Sequence, residues 1–198
     1  MIQAPPGVTL IAVSKQQPEA RIAAALAAGQ RVFGENRVQE AHGRWAHRRE
    51  GIDLHLIGPL QTNKVRDALA LFDVIHTLDR PKLVRVVKAA GPRRARAFFV
   101  QVNTGEEAQK AGCLPQDLPA LLHECNGLPV TGFMCIPPVG EPPELHFALL
   151  KTLAEAHGLP HLSMGMSADW EAAVALGATH IRLGSAFFGP RAGVKPGA

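Results

Sequence analysis

The stretch HLSMGMSADWEAAVALGATHIRLGSAFFG, residues 161–189, spells out one complete strand–helix–strand unit. His161–Met164 is a short apolar run of the kind a strand shows when helices cover its sheet. Ala168–Leu176 has the length and Ala-rich composition of a helix and is closed by Gly177, with Ser167 in front of it as a good N-cap. His180–Leu183 then gives a second strand, which runs into Gly184 and Ser185.

The same alternation extends back to the start of the chain. Strands are predicted at Val8–Ser14, Arg31–Gly34, Leu54–Ile57, Val74–Thr77, Ala97–Val102 and Val130–Cys135, before the two above. Helices are predicted between them at Pro18–Ala28, Arg37–Arg48, Thr62–Phe72, Pro81–Ala90, Pro115–Cys125 and Pro143–His157. Proline near several helix starts, and glycine after most helix ends, is the asymmetry helix termini favour; Gly91-Pro92 stops the fourth. Eight strands with helices between them predict a single α/β domain over residues 1–198, a (β/α)8 TIM-type barrel at the short limit for that fold. An open doubly wound sheet is the alternative, but its GxGxxG fingerprint is missing. There is no linker, low-complexity tract or internal repeat.

Composition narrows the function. The 198 residues are 46% hydrophobic and 19% charged, ordinary for a soluble globular domain. No run approaches the ~20 apolar residues of a membrane span, and the start MIQAPPGVTLIAVSK lacks the basic opening of a secretory signal. Three cysteines, Cys113, Cys125 and Cys135, cannot all pair, which points to free thiols and the cytoplasm. A net charge of +4 permits an acidic partner without requiring one. The basic segments Arg44–Glu50 and Arg93–Arg96 lack interleaved aromatics or a nucleic-acid module, so they read as solvated faces. Nine histidines show no metal-ligand spacing. The expectation is therefore no nucleic acid, no membrane and no metal.

In a barrel of this kind, function gathers at the C-terminal ends of the strands. Lys15 ends the first strand, Gly34-Glu35-Asn36 the second and Gly58-Pro59 the third. Asn103 follows the fifth and Pro137-Pro138 the sixth. Ser167 and the Gly184-Ser185 pair lie after strands seven and eight, where barrels commonly hold phosphate. Each could be a plain cap or a plain turn; together they point to a phosphate. A lysine in a barrel mouth loses hydration, which lowers its pKa and frees an amine to attack carbonyls. An amine and a phosphate site in one mouth suggest an aldehyde phosphate, and pyridoxal 5′-phosphate fits. Arg182, two residues before Gly184, should point into the same mouth and donate to an unprotonated pyridine nitrogen.

These residues sit in the stretches AVSK, FGENRVQEA, HLIGPLQTNK, IHTLDRPKL, GFMCIPP and LSMGMSADWEAAVALGATHIRLGSAFFGPR, in order over nearly the whole chain. The pattern resembles the pyridoxal phosphate homeostasis protein family, whose fold is similar to the barrel domain of bacterial alanine racemase. The resemblance implies that Lys15 carries the aldimine of this vitamin B6 cofactor and that Arg182 faces its pyridine nitrogen. It implies that Ser167, Gly184 and Ser185 hold the phosphate and that Asn36 lies beside the ring. The family usually has a helix of some twenty residues before its first strand, and here the first strand begins almost at once. The family's usual tyrosine after Gly-Glu-Asn is Arg37 in this chain.

Three functions suit such a mouth. The expected one is a monomeric protein of cofactor homeostasis that holds the cofactor as a lysine Schiff base, with apo-enzymes that depend on it as partners. A racemase-like enzyme is the second, but racemisation ordinarily needs an acid–base group opposite the lysine. In alanine racemase-like enzymes that group is a tyrosine, and this chain has none. Cys135 and His55 could stand in, but both sit in apolar runs typical of core residues. A Schiff-base aldolase on a sugar phosphate is the third, and it would carry no chromophore.

Overall fold

The computed structural model describes residues 2–91 and 93–190. Met1, Pro92 and residues 191–198 lie outside them, and with them the Pro92 helix stop and Arg191 of the last quoted stretch.

Strands and helices alternate from end to end. In order they are β1 (Thr9–Val13), α1 (Glu19–Ala27), β2 (Val32–Glu35), α2 (Val38–Trp45), β3 (Asp53–Leu56), α3 (Val65–Leu71), β4 (Val74–Leu78) and α4 (Pro81–Ala90). The second half continues with β5 (Ala97–Gln101), α5 (Leu118–Glu124), β6 (Val130–Met134), α6 (Pro143–Ala156), β7 (His161–Ser163), α7 (Trp170–Ala175), β8 (His180–Leu183) and α8 (Ser185–Phe188). The strands pair in parallel and close in sequence order, with β8 against β1. This is the expected (β/α)8 barrel.

Because side chains alternate across a strand, every strand feeds two separate layers. Ala12, Phe33, Leu54, Ile75, Val100, Phe133, Leu162 and Ile181 join the helices in one large apolar cluster. Trp45 of α2 packs on Phe33 at 4.7 Å between ring centroids, and Phe147, Leu150 and Ala154 of α6 are buried in the same layer. The opposite face supplies a smaller cluster of Val74, Phe99 and Met134. Around it stand His55, His76, His161 and His180, with the His76 ring stacked on Phe99 at 4.3 Å. Much of the barrel's interior is therefore aromatic and polar rather than filled with branched aliphatics.

The element edges differ from expectation for local reasons. Thr62–Lys64 and Pro115–Asp117 form 3-10 turns that lead into α3 and α5 instead of belonging to them. The helix expected from Ala168 begins at Trp170, with Asp169 in the N-cap position, so Ser167 is not its cap. The Asp169 carboxylate accepts the Met166 N–H at 2.6 Å and ties off the turn ahead of the helix. The short α8 directly after β8 was not anticipated.

The segment Arg44–Glu50 is less solvated than its charge suggested, whereas Arg93, Arg94 and Arg96 are exposed as expected. Arg44 has a side chain only 21% exposed and reaches inward to Glu35 at 3.0 Å. Arg49 and Arg94 converge on Asp73, whose carboxylate also accepts the Leu54 N–H at 2.8 Å, and Arg96 pairs with Asp53 at 2.6 Å. Arg49, Arg94 and Arg96 neutralise carboxylates at the N-terminal end of the barrel, whereas Arg44 does so at the C-terminal end of β2, pairings that sequence distance concealed. Among the described residues no helix is long and apolar enough to cross a membrane.

Candidate functional site in the barrel mouth

Lys15 lies just past β1, where the chain leaves the sheet. Val13 pairs with Gly34, and carrying that register two residues on sets Lys15 at the level of Asn36. On the other side, Ala12 pairs with Leu183, which sets the end of β1 beside Gly184 and Ser185. Directly after Lys15, Gln16 adopts the left-handed conformation at φ 58°, which a non-glycine residue keeps only when its surroundings enforce it. The enforcement is visible: Gln17 N–H donates to Ser14 O at 3.1 Å, and the Arg44 guanidinium donates to the carbonyls of Ser14 and Gln17.

A buried carboxylate completes this brace. Glu35 Oε1 accepts from the Ser14 hydroxyl at 2.6 Å, from Arg44 at 3.0 Å and from Trp45 Nε1 at 3.0 Å. Glu35 is wholly buried, so these donors compensate a charge that would otherwise be strongly disfavoured there. The brace binds β1, β2 and α2 just behind Lys15. In the sequence Glu35 is only part of a strand end, and nothing there pairs it with Arg44 or Trp45.

All six residues singled out from the sequence line one cavity of about 320 Å³: Lys15, Asn36, Ser167, Arg182, Gly184 and Ser185. Val13, Ile57, Ile136, Met166 and Ala168 complete its wall. The volume is at the small end for a ligand site, and the mix of an apolar wall with a few convergent polar groups is usual for one. A larger groove of about 800 Å³ lies between α1 and α2, but it is lined by residues such as Glu19, Glu40, Arg44 and Arg48 on the outer wall. The mouth is where the chemistry converges.

Each mouth residue has a distinct condition. Asn36 is held where the backbone of the next loop meets it, since a Cβ on Gly58 would stand 2.2 Å from Asn36 O. Its Oδ1 is buried yet has no hydrogen-bond partner among the described residues, which is costly unless a ligand or water satisfies it. Gly184 is not a packing requirement, because a Cβ there would meet only Val13 Cβ at 3.9 Å; its bare backbone leaves the mouth open. Ser167 Oγ accepts the Ala186 N–H at 3.2 Å, so it links the loop after β7 to the first turn of α8 and keeps its own proton for another acceptor.

Arg182 is 4% exposed. Its NH1 donates to Ser163 O at 2.7 Å and Ser163 Oγ at 2.8 Å, and its NH2 donates to Cys135 O at 2.8 Å. Burial holds its pKa below the usual arginine value, opposed by Cys135 and Asp169, yet a guanidinium stays protonated in proteins. Cys135 is itself fully buried, and desolvation pushes its thiol up to about 12. His55 is buried below the mouth, 2.9 Å from His76. Ser163 and His76 went unnoticed in the sequence; both sit on strands as ordinary polar residues, and only closure of the barrel brings them to Arg182.

The family described as alanine racemase, N-terminal domain, matches residues 2–192. A Pseudomonas aeruginosa relative, named pyridoxal phosphate homeostasis protein, is 43% identical over 94% of this chain and 86% of its own length. The Escherichia coli K12 protein of the same name is 38% identical over 96% of this chain and 88% of its own. Among solved structures, PipY of Synechococcus elongatus with PLP bound superposes with a TM-score of 0.82 at 41% identity, covering 94% of this chain and 95% of that one. Alanine racemase from Corynebacterium glutamicum shares the fold at 20% identity, with a TM-score of 0.69 over 97% of this chain and 59% of that one.

Proposed function

The chain belongs to the pyridoxal phosphate homeostasis protein family, and we propose that it holds pyridoxal 5′-phosphate in the barrel mouth by a Schiff base with Lys15, acting in carriage of the cofactor and not in turnover. The observation that carries this reading is the convergence of an amine, a guanidinium, two hydroxyls and an unsatisfied buried amide oxygen on one cavity. The cofactor would supply an aldehyde, and Lys15 would be the amine in the mouth placed to condense with it, with loss of water.

The chain's own groups do the rest. Ser167 and Ser185 donate hydroxyls to the phosphate, and the open backbone at Gly184 lets that anion approach closely. Arg182 presents a donor to the ring nitrogen and keeps it unprotonated. Asn36 lies beside the ring, where its orphaned Oδ1 gains a neighbour.

The relatives are named as homeostasis proteins, not as enzymes. Non-catalysis has further support: the chain has no tyrosine, the Cys135 thiol is pushed up to about 12, and His55 is enclosed below the mouth. None is a ready acid–base partner opposite Lys15. The protein then works as a cytoplasmic monomer whose partners are apo-enzymes that need the cofactor. Its three cysteines are free and buried, as a reducing compartment allows.

The test is an absorption spectrum of the loaded protein before and after borohydride, with the modified peptide located by mass spectrometry. Label on Lys15 is expected; label on another lysine overturns the site. Incubation with L-alanine in deuterated water should yield no sustained deuterated D-alanine. Its appearance, abolished by Lys15→Ala, would establish the racemase instead.

A further inference from the structure

Beneath the mouth runs a line of hydrogen bonds that crosses four strands. From Arg182 NH1 it passes to Ser163 Oγ at 2.8 Å, on to His76 Nδ1 at 2.9 Å, and from His76 Nε2 to His55 Nδ1 at 2.9 Å. It ends where His55 Nε2 faces Asp53 Oδ1 at 3.4 Å, beside the Asp53–Arg96 ion pair at the N-terminal end of the barrel. His55, His76, Ser163 and Arg182 are all buried.

We infer that Ser163, His76 and His55 are positioning residues for Arg182, forming a one-way donor relay from its guanidinium to His55, whose far nitrogen faces the Asp53 carboxylate, and that this relay aims the remaining Arg182 N–H groups into the cavity. The inference rests on the proposed cofactor site, because the cavity's ring acceptor is what the aimed donors would meet.

The direction of the relay follows from its ends. Arginine only donates, so Ser163 Oγ accepts there. At the other end the Asp53 carboxylate requires a proton on the facing His55 nitrogen; 3.4 Å is long for a hydrogen bond, but a bare nitrogen against a carboxylate would be repulsive. A neutral His55 with its proton on Nε2 has a bare Nδ1, which must accept from His76 Nε2. A neutral His76 then has a bare Nδ1, which accepts the Ser163 hydroxyl proton. Reversing the chain would place a second proton on a buried imidazole.

The surroundings oppose that extra proton. Desolvation pulls the His76 pKa well below its ordinary value, and His55, His180 and Arg182 push the same way. The charged and titratable neighbours are Asp53 and His55 on β3, His161 on β7, His180 and Arg182 on β8, and Cys135 after β6; Phe99 on β5 stacks on the His76 ring. At the His55 end Asp53 favours a nearby cation but already faces Arg96, and at the other end Asp169 and Cys135 favour the Arg182 cation itself.

For Arg182 the consequence is geometric. Three of its five N–H groups are fixed by Ser163 and Cys135, which sets the plane of the guanidinium. Two remain for the cavity that Arg182 lines. Each bond in such a chain polarises the next, so losing any link loosens the whole.

The experiment uses the full chain loaded with pyridoxal 5′-phosphate and follows the pH dependence of its absorption, its affinity and its borohydride label. Ser163→Ala and His76→Phe should each move the midpoint of the pH-dependent change by about one unit and weaken affinity about tenfold. The double variant should go no further than the larger single effect, since the residues act as one chain. Ser163→Thr, which keeps the hydroxyl, should restore the profile. His161→Phe, on the same floor but off the relay, should leave it unmoved. If His76→Phe does not fold by circular dichroism, Ser163→Ala decides. Nitrogen-15 spectra of the unaltered protein should show His76 neutral with its proton on Nε2 between about pH 6 and 9; a cationic His76 or the other tautomer overturns the relay. Folded relay variants with the unaltered pH profile and affinity, but label still on Lys15, overturn the relay alone. Absence of label on Lys15 in the unaltered protein overturns the cofactor site, while the nitrogen-15 result still judges the direction of the chain.

Discussion

The mouth of the barrel and the floor beneath it are both polar, yet they are organised in opposite ways. In the mouth, Asn36 Oδ1 has no partner, the Ser167 proton is uncommitted, and Gly184 keeps a side chain out of the space. On the floor, His76 has both ring nitrogens bonded and lies stacked on Phe99. Unsatisfied groups in the mouth lower stability and leave an acceptor at Asn36 and a donor at Ser167 for a ligand. The bonded groups on the floor, along the line from Arg182 to His55, hold their neighbours in one arrangement, although His161 Nδ1 there is buried with no hydrogen-bond partner among the described residues. Arg182 belongs to both regions, and this is how a fixed floor gives direction to an open mouth.

The comparison breaks first, if it breaks, at Lys15. Lys15→Ala should abolish the borohydride label and the cofactor absorption band completely, while stability by urea denaturation changes by less than about 1 kcal/mol. A large loss of stability would mean that the mouth lysine is a structural element after all.

Phe99→Ala is the reciprocal change on the floor. It removes a ring that is 1% exposed and stacked on His76, and should lower stability by about 3–5 kcal/mol. Labelling at Lys15 should persist in whatever fraction remains folded. Equal effects of the two substitutions on both readouts would erase the distinction between the regions.

Ser167→Ala and Ser185→Ala sharpen the description of the mouth. Each removes one hydroxyl donor to a doubly charged group, worth about 1.5–3 kcal/mol, or on the order of 10- to 100-fold in affinity for pyridoxal 5′-phosphate. Affinity for pyridoxal, which lacks the phosphate, should barely move. If both ligands weaken alike, the serines serve the loops alone.

A further distinction between the two regions is a slope with pH. Burial, then His55 and His161, depress the His180 pKa to about 3, and His76 is held well below its ordinary value chiefly by burial. Both are neutral in the folded protein, and the unfolded chain titrates near pH 6.5. Their contribution to stability is therefore complete above about pH 6.5 and is lost as the pH falls toward 3, by about 1.4 kcal/mol per unit for each proton. Denaturation midpoints measured across that range should fall accordingly, and Lys15→Ala should follow the same slope. A flat profile would mean that the floor histidines are hydrated or already charged.

The sequence by itself determined the barrel and the mouth. Strand-length apolar runs separated by helix-length segments permit only a few architectures, and eight such units leave the closed barrel as the natural one. Once the barrel is granted, function is expected at the strand ends, so Lys15, Asn36, Arg182 and the residues after strands seven and eight could be placed at one mouth from their positions, and they do line one cavity; the part expected of Asn36 came from family resemblance. Those inferences need only chain order and the period of two along a strand.

Tertiary structure decided what the remaining polar residues do. Ser167 looked like a helix cap and instead accepts a backbone proton from α8. Arg44 and Trp45 lay in a segment that looked solvated and instead bind the buried Glu35 behind Lys15. His55, His76, Ser163 and Arg182 are spread over more than a hundred residues of sequence, on four strands that meet only through closure of the barrel and the register of its pairings. Hydrogen bonds depend on ångström distances between atoms remote along the chain, whereas hydrophobic pattern is a property of neighbours; only the second is written locally in a sequence.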